Sequence, residues 1–418
     1  MTIPGMTRDK LGKVSNQMNQ KRIQLIDGMR GLSLFGILLA NLLIFQYGMW
    51  GKEELDLTGI NQGAHFFTKV FIEGSFMPIF TFLFGYSMIK MAEGLRQRGL
   101  KVKRYFARRF LLLAVIGWAH ATFLWEGDIL LFYGLMGFFL LLFVNRKTKT
   151  ILVWAILLTV LTTSFMLIGA GFSGESAPEE EFMASPAYIK KTNDVYANGT
   201  YSEIKHHRNN ADPFENMPDA LVIVMLVLAP IATAPLFLFG MYAARINFFS
   251  NPVQEKKLYR IGTVILVPIG IAMKAIFELA PSTGWTDFLI GAGAPLLAVG
   301  YIFAFAWLYT KFMESVAMRA FESVGKLSLT NYMMQTVICT TIFYGYGLGL
   351  FGKLGTAGGL LLGLGVFVLQ CTASSFYLKR FQRGPLEFIL RMWTNFSWNG
   401  QVKPKKDKKK KDIEAHAM

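Results

Sequence analysis

Ten apolar stretches, each close to the length a helix needs to cross a bilayer, follow one another along this chain. They lie near residues 27–47, 66–89, 107–125, 128–144, 150–171, 219–243, 259–280, 286–310, 326–348 and 356–378. A helix rising about 1.5 Å per residue crosses the roughly 30 Å hydrocarbon layer with about 20 residues. No water satisfies backbone N–H and C=O groups inside lipid, so runs of this kind must close their own hydrogen bonds as helices. The expected fold class is an all-α polytopic membrane protein with about ten transmembrane helices. Of the 418 residues, 53% are hydrophobic and 14% aromatic, and the mean hydropathy of +0.38 is too high for an ordinary soluble protein.

A formal net charge of +16 would suit nucleic acid, but Lys and Arg fall in short clusters between the apolar runs and in the tail. That is the pattern of cytoplasmic membrane loops, and no nucleic-acid partner is expected. The clusters before the first run, between the second and third, and between the fourth and fifth all land on one side. Arg245 to Arg260, Lys311 to Lys326, and Lys379 onward join them, whereas Glu53, Glu54, Asp56, Glu126, Asp128 and the segment from Glu175 land opposite. Both termini are therefore expected in the cytoplasm of a multi-pass cell-membrane protein. Cys339 and Cys371 lie inside apolar runs, where cysteine is a small buried hydrophobe, so neither a disulfide nor a metal site is indicated. The polar first 22 residues and the lack of a small-residue cleavage site after Arg30 indicate an uncleaved first helix.

The chain divides into a cytoplasmic segment 1–26, a bundle 27–378, an external connection 172–218 within it, an amphipathic stretch 383–398 and a basic tail 399–418. The Gly, Ser, Pro and Glu content of 172–218 argues against a packed core of its own, which leaves it free to cover the outer face of the bundle, and His206 and His207 are expected to be solvated rather than metal ligands. Asn198-Gly199-Thr200 in it matches a glycosylation sequon. The Gly384-Pro385 break should start a short helix suited to the headgroup plane. The seven lysines of KPKKDKKKKD form either a solvated tail or an attraction to anionic lipid. FLFGYSMIK (82–90) and FLFGMYAAR (237–245) resemble one another, as two helices with the same exit chemistry or as an internal duplication.

Ionisable groups at membrane depth are costly, roughly 2.5 to 3.5 kcal/mol for an Asp at a helix centre, so a chain that keeps them usually uses them. GWAHATFLWEGDILLFYGLMG, Gly117 to Gly137, puts His120 inside a helix and Glu126 and Asp128 in a connection of a few residues. Alternatively His120 bonds a neighbouring helix and Asp128 caps the next one. Asp27 and Arg30, three residues apart at the inner end of the first run, form either a helix-end ion pair or a cationic pocket. Asn41 lies about 16 Å further along that helix, at the expected depth of His120. Asn331 and Gln335 share a face near the depth of Arg30, as substrate contacts or as glue between helices. Glu73 is the remaining acidic group at depth. Together these residues suggest a polar path from a cytoplasmic arginine to an outer histidine.

LIDGMRGLSLFGILLAN, FTFLFG, RRFLLLAVIGWAH with GDILLFYGLMG, GKLSLTNYMMQTVICTTIFYGYGLGL and GPLEFILR resemble, in order and over nearly the whole chain, the YeiB-like family of bacterial membrane proteins. That resemblance implies a distant likeness to transmembrane acyltransferases, including acyltransferase-3 and heparan-glucosaminide acetyltransferase enzymes. Those pass an acyl group from cytoplasmic acyl-CoA to an acceptor. It thus implies an acyltransferase-like bundle, acyl-CoA as co-substrate with no tightly bound cofactor, and a small-molecule or envelope acceptor. Acyltransferase-3 enzymes place their histidine where Asn41 stands, whereas heparan-type enzymes are similar in having asparagine there. His65 and His120 remain as candidates, and His120 belongs to the GxxH block that resembles the family's pattern. The family more often has lysine at Ser75, so one cationic group is missing there.

Two functions follow as expectations. In acyl transfer, His120 takes the acceptor's proton, Asp128 or Glu126 orients it, and Arg30 with the basic loops holds CoA phosphates. In a small-metabolite transporter, the same His, Asp and Arg groups serve as proton relay and substrate contacts. A non-catalytic membrane component in envelope physiology is a third, blander outcome.

Overall fold

The computed structural model describes residues 8–400 other than 54, 56, 173–183, 214–218 and 282. In chain order the helices are α1 (Arg8–Tyr47), α2 (Gly59–Phe67), α3 (Met77–Gln97), α4 (Val102–Phe123), α5 (Leu130–Leu140), α6 (Thr148–Phe172), α7 (Pro186–Asn198) and α8 (Tyr201–Asn210). They continue with α9 (Asp219–Arg245), α10 (Pro252–Leu279), α11 (Gly284–Phe312), α12 (Val316–Lys326), α13 (Ser328–Phe343), α14 (Gly355–Arg380) and α15 (Pro385–Asn395). No strand occurs among the described residues. Glu54, Asp56, Glu175 and the lysine-rich tail from 401 lie outside them.

The membrane character is borne out by seven helical stretches long and apolar enough to span, among the described residues. These are Gln24–Tyr47, Gly59–Gln97, Thr148–Gly171, Leu228–Arg245, Pro252–Leu279, Gly284–Phe312 and Gly355–Arg380. The third, fourth and ninth expected runs correspond to α4, α5 and α13. The first of these starts with Lys103, Arg104, Arg108 and Arg109. The other two, at 11 and 16 residues, are only about 16 and 24 Å long. The exposed faces of α6 and α10 carry Val153, Leu157, Phe165, Val264 and Ile265, which suits lipid rather than water.

Helix α1 occupies the centre, packed by α3, α11, α12, α13 and α14, with Leu25, Met29, Leu34, Leu38 and Leu42 buried. Small residues set the closest crossings, as expected where lipid offers no hydrophobic drive. The two FLFG segments meet there: a Cβ on Gly85 would lie 2.0 Å from Phe237 O, and one on Gly240 2.0 Å from Phe82 O. The α3–α9 contact is thus reciprocal. Their likeness in sequence matches two surfaces that pack on each other.

Three local features add detail to the expectation. The second expected run is broken: α2 passes through a π-helical turn (Thr68–Ile72), Gly74 has φ +70°, and α3 begins at Met77. The connection 172–218 holds two helices packed on the bundle, because Ser185 caps α7 and Thr200 with Glu203 forms a capping box on α8, while Ile189, Tyr196 and Ile204 are buried. His207 is consequently buried on Thr192, at 2.8 Å, and only His206 is solvated. Lastly, α15 docks onto the bundle. Glu387 accepts from the Leu329 and Thr330 N–H groups at 2.7 and 3.1 Å, closing the start of α13 where a carboxylate complements the helix dipole.

Candidate functional site

His120 sits in the last turn of α4 and Asp128 in the turn leading to α5. The two helices form a close antiparallel pair because Gly117 lies against the Leu131 backbone and Gly134 against Ala114. This brings His120 Nδ1 to 2.8 Å from Asp128 Oδ1. The second carboxylate oxygen accepts from the Leu131 N–H at 2.7 Å. Asp128 therefore caps α5 and holds the histidine at the same time. In the tautomer in which Nδ1–H donates to the Asp128 carboxylate, Nε2 is left with the lone pair. Nε2 faces Thr336 Oγ1, 3.0 Å away on α13. Tyr332, one turn earlier on the same face of α13, lies with its ring centroid 5.5 Å from the imidazole. His120 and Thr336 are each 1% exposed.

Glu126 does not join this group. Its Oε1 accepts from Tyr196 on α7 at 2.9 Å. Burial pushes its carboxyl above the usual glutamate range, opposed in part by Arg208 and the tyrosine hydroxyl. Helices α7 and α8 roof this end: Arg208 donates to Leu124 O and Thr122 O at 3.0 and 2.9 Å, and Tyr201 to Phe123 O at 2.8 Å. Beneath the roof Trp125 stacks on Phe45, centroids 4.2 Å apart. Asn41 lies one turn before Phe45 on the same face of α1, half-buried, its amide making no hydrogen bond among the described residues.

At the opposite end, Arg30 donates to Asp27 Oδ1 and to Ser87 Oγ, both at 2.5 Å. Arg109 of α4 stands within electrostatic reach of Arg30 and Glu387. Its guanidinium makes no hydrogen bond or ion pair among the described residues. Two arginines from different helices thus lie near one another at this end, of which the sequence alone singled out one.

The expected polar path is divided by α13. Asn331 and Gln335 face α14 and α1: Asn331 donates to Val324 O and Ser374 Oγ, and Gln335 to Gln370 Oε1 and Leu34 O. Tyr332 and Thr336, each one residue on, face His120. The two amides act as glue between helices, in line with one of the two expectations, and are not part of the histidine group.

Glu73 sits at the break before α3, paired with Lys52 and, at 3.1 Å, with Lys69. Lys274 of α10, 1% exposed, enters the break, donating to the Glu73 carbonyl at 2.5 Å and to Ser75 Oγ at 3.1 Å. The cation missing at Ser75 is supplied there from a distant helix. His65 lies on α2, which packs on α14 through Asn61, and takes no part in the His120 group.

The family "Protein of unknown function (DUF418)" matches residues 243–397. The chain is 33% identical over 410 residues to the uncharacterized protein YxaH of Bacillus subtilis (strain 168), covering 93% of this chain and 98% of the relative. It is 26% identical over 389 residues to the uncharacterized protein YeiB of Escherichia coli (strain K12), covering 88% and 95%. An uncharacterized 39.9 kDa protein of Bacillus acidopullulyticus is 24% identical over 379 residues, covering 90% and 94%.

Proposed function

The chain belongs to the DUF418, YeiB-like family, and from that premise we propose that it is a membrane-embedded acyltransferase. It moves an acyl group, such as acetyl, from cytoplasmic acyl-CoA to an acceptor in or across the bilayer. The observation that carries this reading is the buried Asp128–His120 pair, with Nδ1 held by the carboxylate and Nε2 turned to the opposite side of the ring. In the reaction an acceptor O–H or N–H attacks the thioester carbonyl while His120 Nε2 takes its proton. Collapse of the tetrahedral intermediate breaks the C–S bond, the CoA thiolate leaves, and the proton taken up by His120 passes through water to the thiolate, which restores the neutral imidazole. Arg30 and Arg109 hold phosphate groups of the donor at the inner mouth. The eleven residues from Arg30 to Asn41 separate the two levels by about 16 Å, which an extended pantetheine arm bridges.

In this reading α4, α5 and α13 join the seven longer helices to make ten crossings, with both termini cytoplasmic. The distribution of Lys and Arg supports that orientation. The membrane is the bacterial plasma membrane.

A transporter is the alternative, favoured by the broken α2–α3 passage with Lys274 inserted into it, since discontinuous helices form substrate sites in transporters. The two are separated by incubating purified protein with acetyl-CoA. A ligand that binds only the folded state stabilises it by about 2.7 kcal/mol at a hundredfold excess over Kd. An acyltransferase shows this as a raised melting temperature together with slow release of free CoA. Neither change, with proton-coupled flux in vesicles, supports the transporter.

A further inference from the structure

The cytoplasmic-side ends of α10 and α11 enclose a cleft of about 480 Å³ lined by Lys256, Lys257, Arg260, Lys311 and Trp307. None of these four cations has a carboxylate partner among the described residues, and Lys311 is held only over the Trp307 ring, 4.1 Å from its centroid. Glu255, beside Lys256 in sequence, is turned onto the Phe249 N–H and the Tyr259 hydroxyl. Lys256 and Lys257 also stand near the start of α10, where the helix dipole already makes the potential positive. Cations crowded there without partners are unfavourable unless an anion completes the site.

A second cavity, about 370 Å³ and almost wholly apolar, is lined by Phe82, Phe239, Ile246, Phe248, Val299 and Phe303. Val299, Phe303, Trp307 and Lys311 recur every four residues, so one stripe of α11 runs from the apolar groove into the basic cleft. An apolar groove and a cleft of cations without carboxylate partners, joined by one stripe of α11, match one molecule, polar at one end and apolar along its length.

We propose that groove and cleft form a binding site for one anionic phospholipid, its phosphate on Lys256, Lys257, Arg260 and Lys311 and an acyl chain along α11. Basic pockets between membrane helices recognise anionic headgroups in this way. The site involves none of the residues placed in acyl transfer and stands apart from that function.

Native mass spectrometry of the full-length protein, released from detergent with phosphatidylglycerol or phosphatidylcholine, tests this. Wild type should retain phosphatidylglycerol about tenfold more strongly or better. Lys256→Gln with Lys257→Gln and Arg260→Gln should abolish the preference although the lysine tail remains. Val299→Trp, which fills the groove without changing charge, should weaken retention of phosphatidylglycerol by a similar factor. Circular dichroism melting of each variant verifies that it is folded. Equal retention of the two lipids, a preference surviving the triple substitution, or full competition by glycerol 3-phosphate alone would overturn the proposal; the last would mark a free-phosphate site.

Discussion

Thr336 Oγ1 lies 3.0 Å from His120 Nε2, so the nitrogen that would act as a base is engaged by a hydroxyl from a helix more than two hundred residues away in sequence. With Nδ1 on Asp128, the imidazole is held at both ends. An acceptor reaching Nε2 must take the place of the threonine hydroxyl. Thr336→Val removes that hydroxyl at nearly constant volume and leaves Asp128 to orient the ring. The expected outcome is a folded protein whose acyl-transfer kcat/KM changes by less than about tenfold, against the much larger loss expected on removing the base. A loss as deep as that of His120→Ala would make Thr336 part of the proton path.

The inner mouth gives a second prediction. Arg30 is tied to Asp27 and Ser87, whereas Arg109 has no bonded partner among the described residues. If both hold donor phosphates, Arg109→Gln should weaken acetyl-CoA binding by tenfold or more, a loss of about 1.4 kcal/mol. Arg30→Lys should also weaken it, because lysine cannot reproduce the guanidinium fork. Isothermal titration checks both. Unchanged affinity in Arg30→Lys would leave that residue only its helix-end ion pair.

The long apolar runs announced a helical membrane bundle because a bilayer leaves the backbone few options. Proximity across the chain was less legible. Glu126 and Asp128 are two residues apart in one turn, yet one meets Tyr196 and the other His120, a divergence set by α7 and by the α5 start. Lys274 reaches Ser75 from 199 residues away, and no periodicity in either segment indicates that pairing. Asn331 and Gln335 were visible as intramembrane amides, while the adjacent residues Tyr332 and Thr336 that meet the histidine look like ordinary helix surface. The α8 start is different: Thr200 followed by Glu203 is a capping signal present in the sequence, outweighed there by the polar composition around it.

The roof should respond to acid through His207. Burial holds its pKa below the usual 6.5, with Lys191 and His206 adding repulsion. The folded state therefore prefers neutral imidazole. Its contribution to stability is complete above pH 6.5 and is lost as pH falls through the lower folded value. Hydrogen exchange of α7 and α8 amides should quicken between pH 7 and about pH 5 beyond the intrinsic trend. His207→Gln, which keeps a bond to Thr192 but cannot titrate, should flatten the response. An unchanged response in that variant would assign it to another group.

The sharpest test sets the two roles of Asp128 against each other. Its Oδ2 caps α5 and its Oδ1 holds His120. Asparagine caps a helix about as well as aspartate, so Asp128→Asn should keep the α5 start and change stability by well under 1 kcal/mol. The effect on chemistry should be large. An asparagine whose oxygen stays on the Leu131 N–H presents its NH₂ to His120, which places the lone pair on Nδ1 and the proton on Nε2. The ring then offers a donor where the acceptor needs a base. His120→Ala should lose about 10² to 10⁴-fold in acyl transfer, the usual contribution of a general base, and Asp128→Asn should approach that loss while melting like wild type. Because the two residues act as a unit, the double variant should be scarcely worse than His120→Ala alone. If Asp128→Asn were silent in activity, the carboxylate would be a cap alone. If His120→Ala kept wild-type transfer, the base would lie elsewhere, with His65 next to be tested.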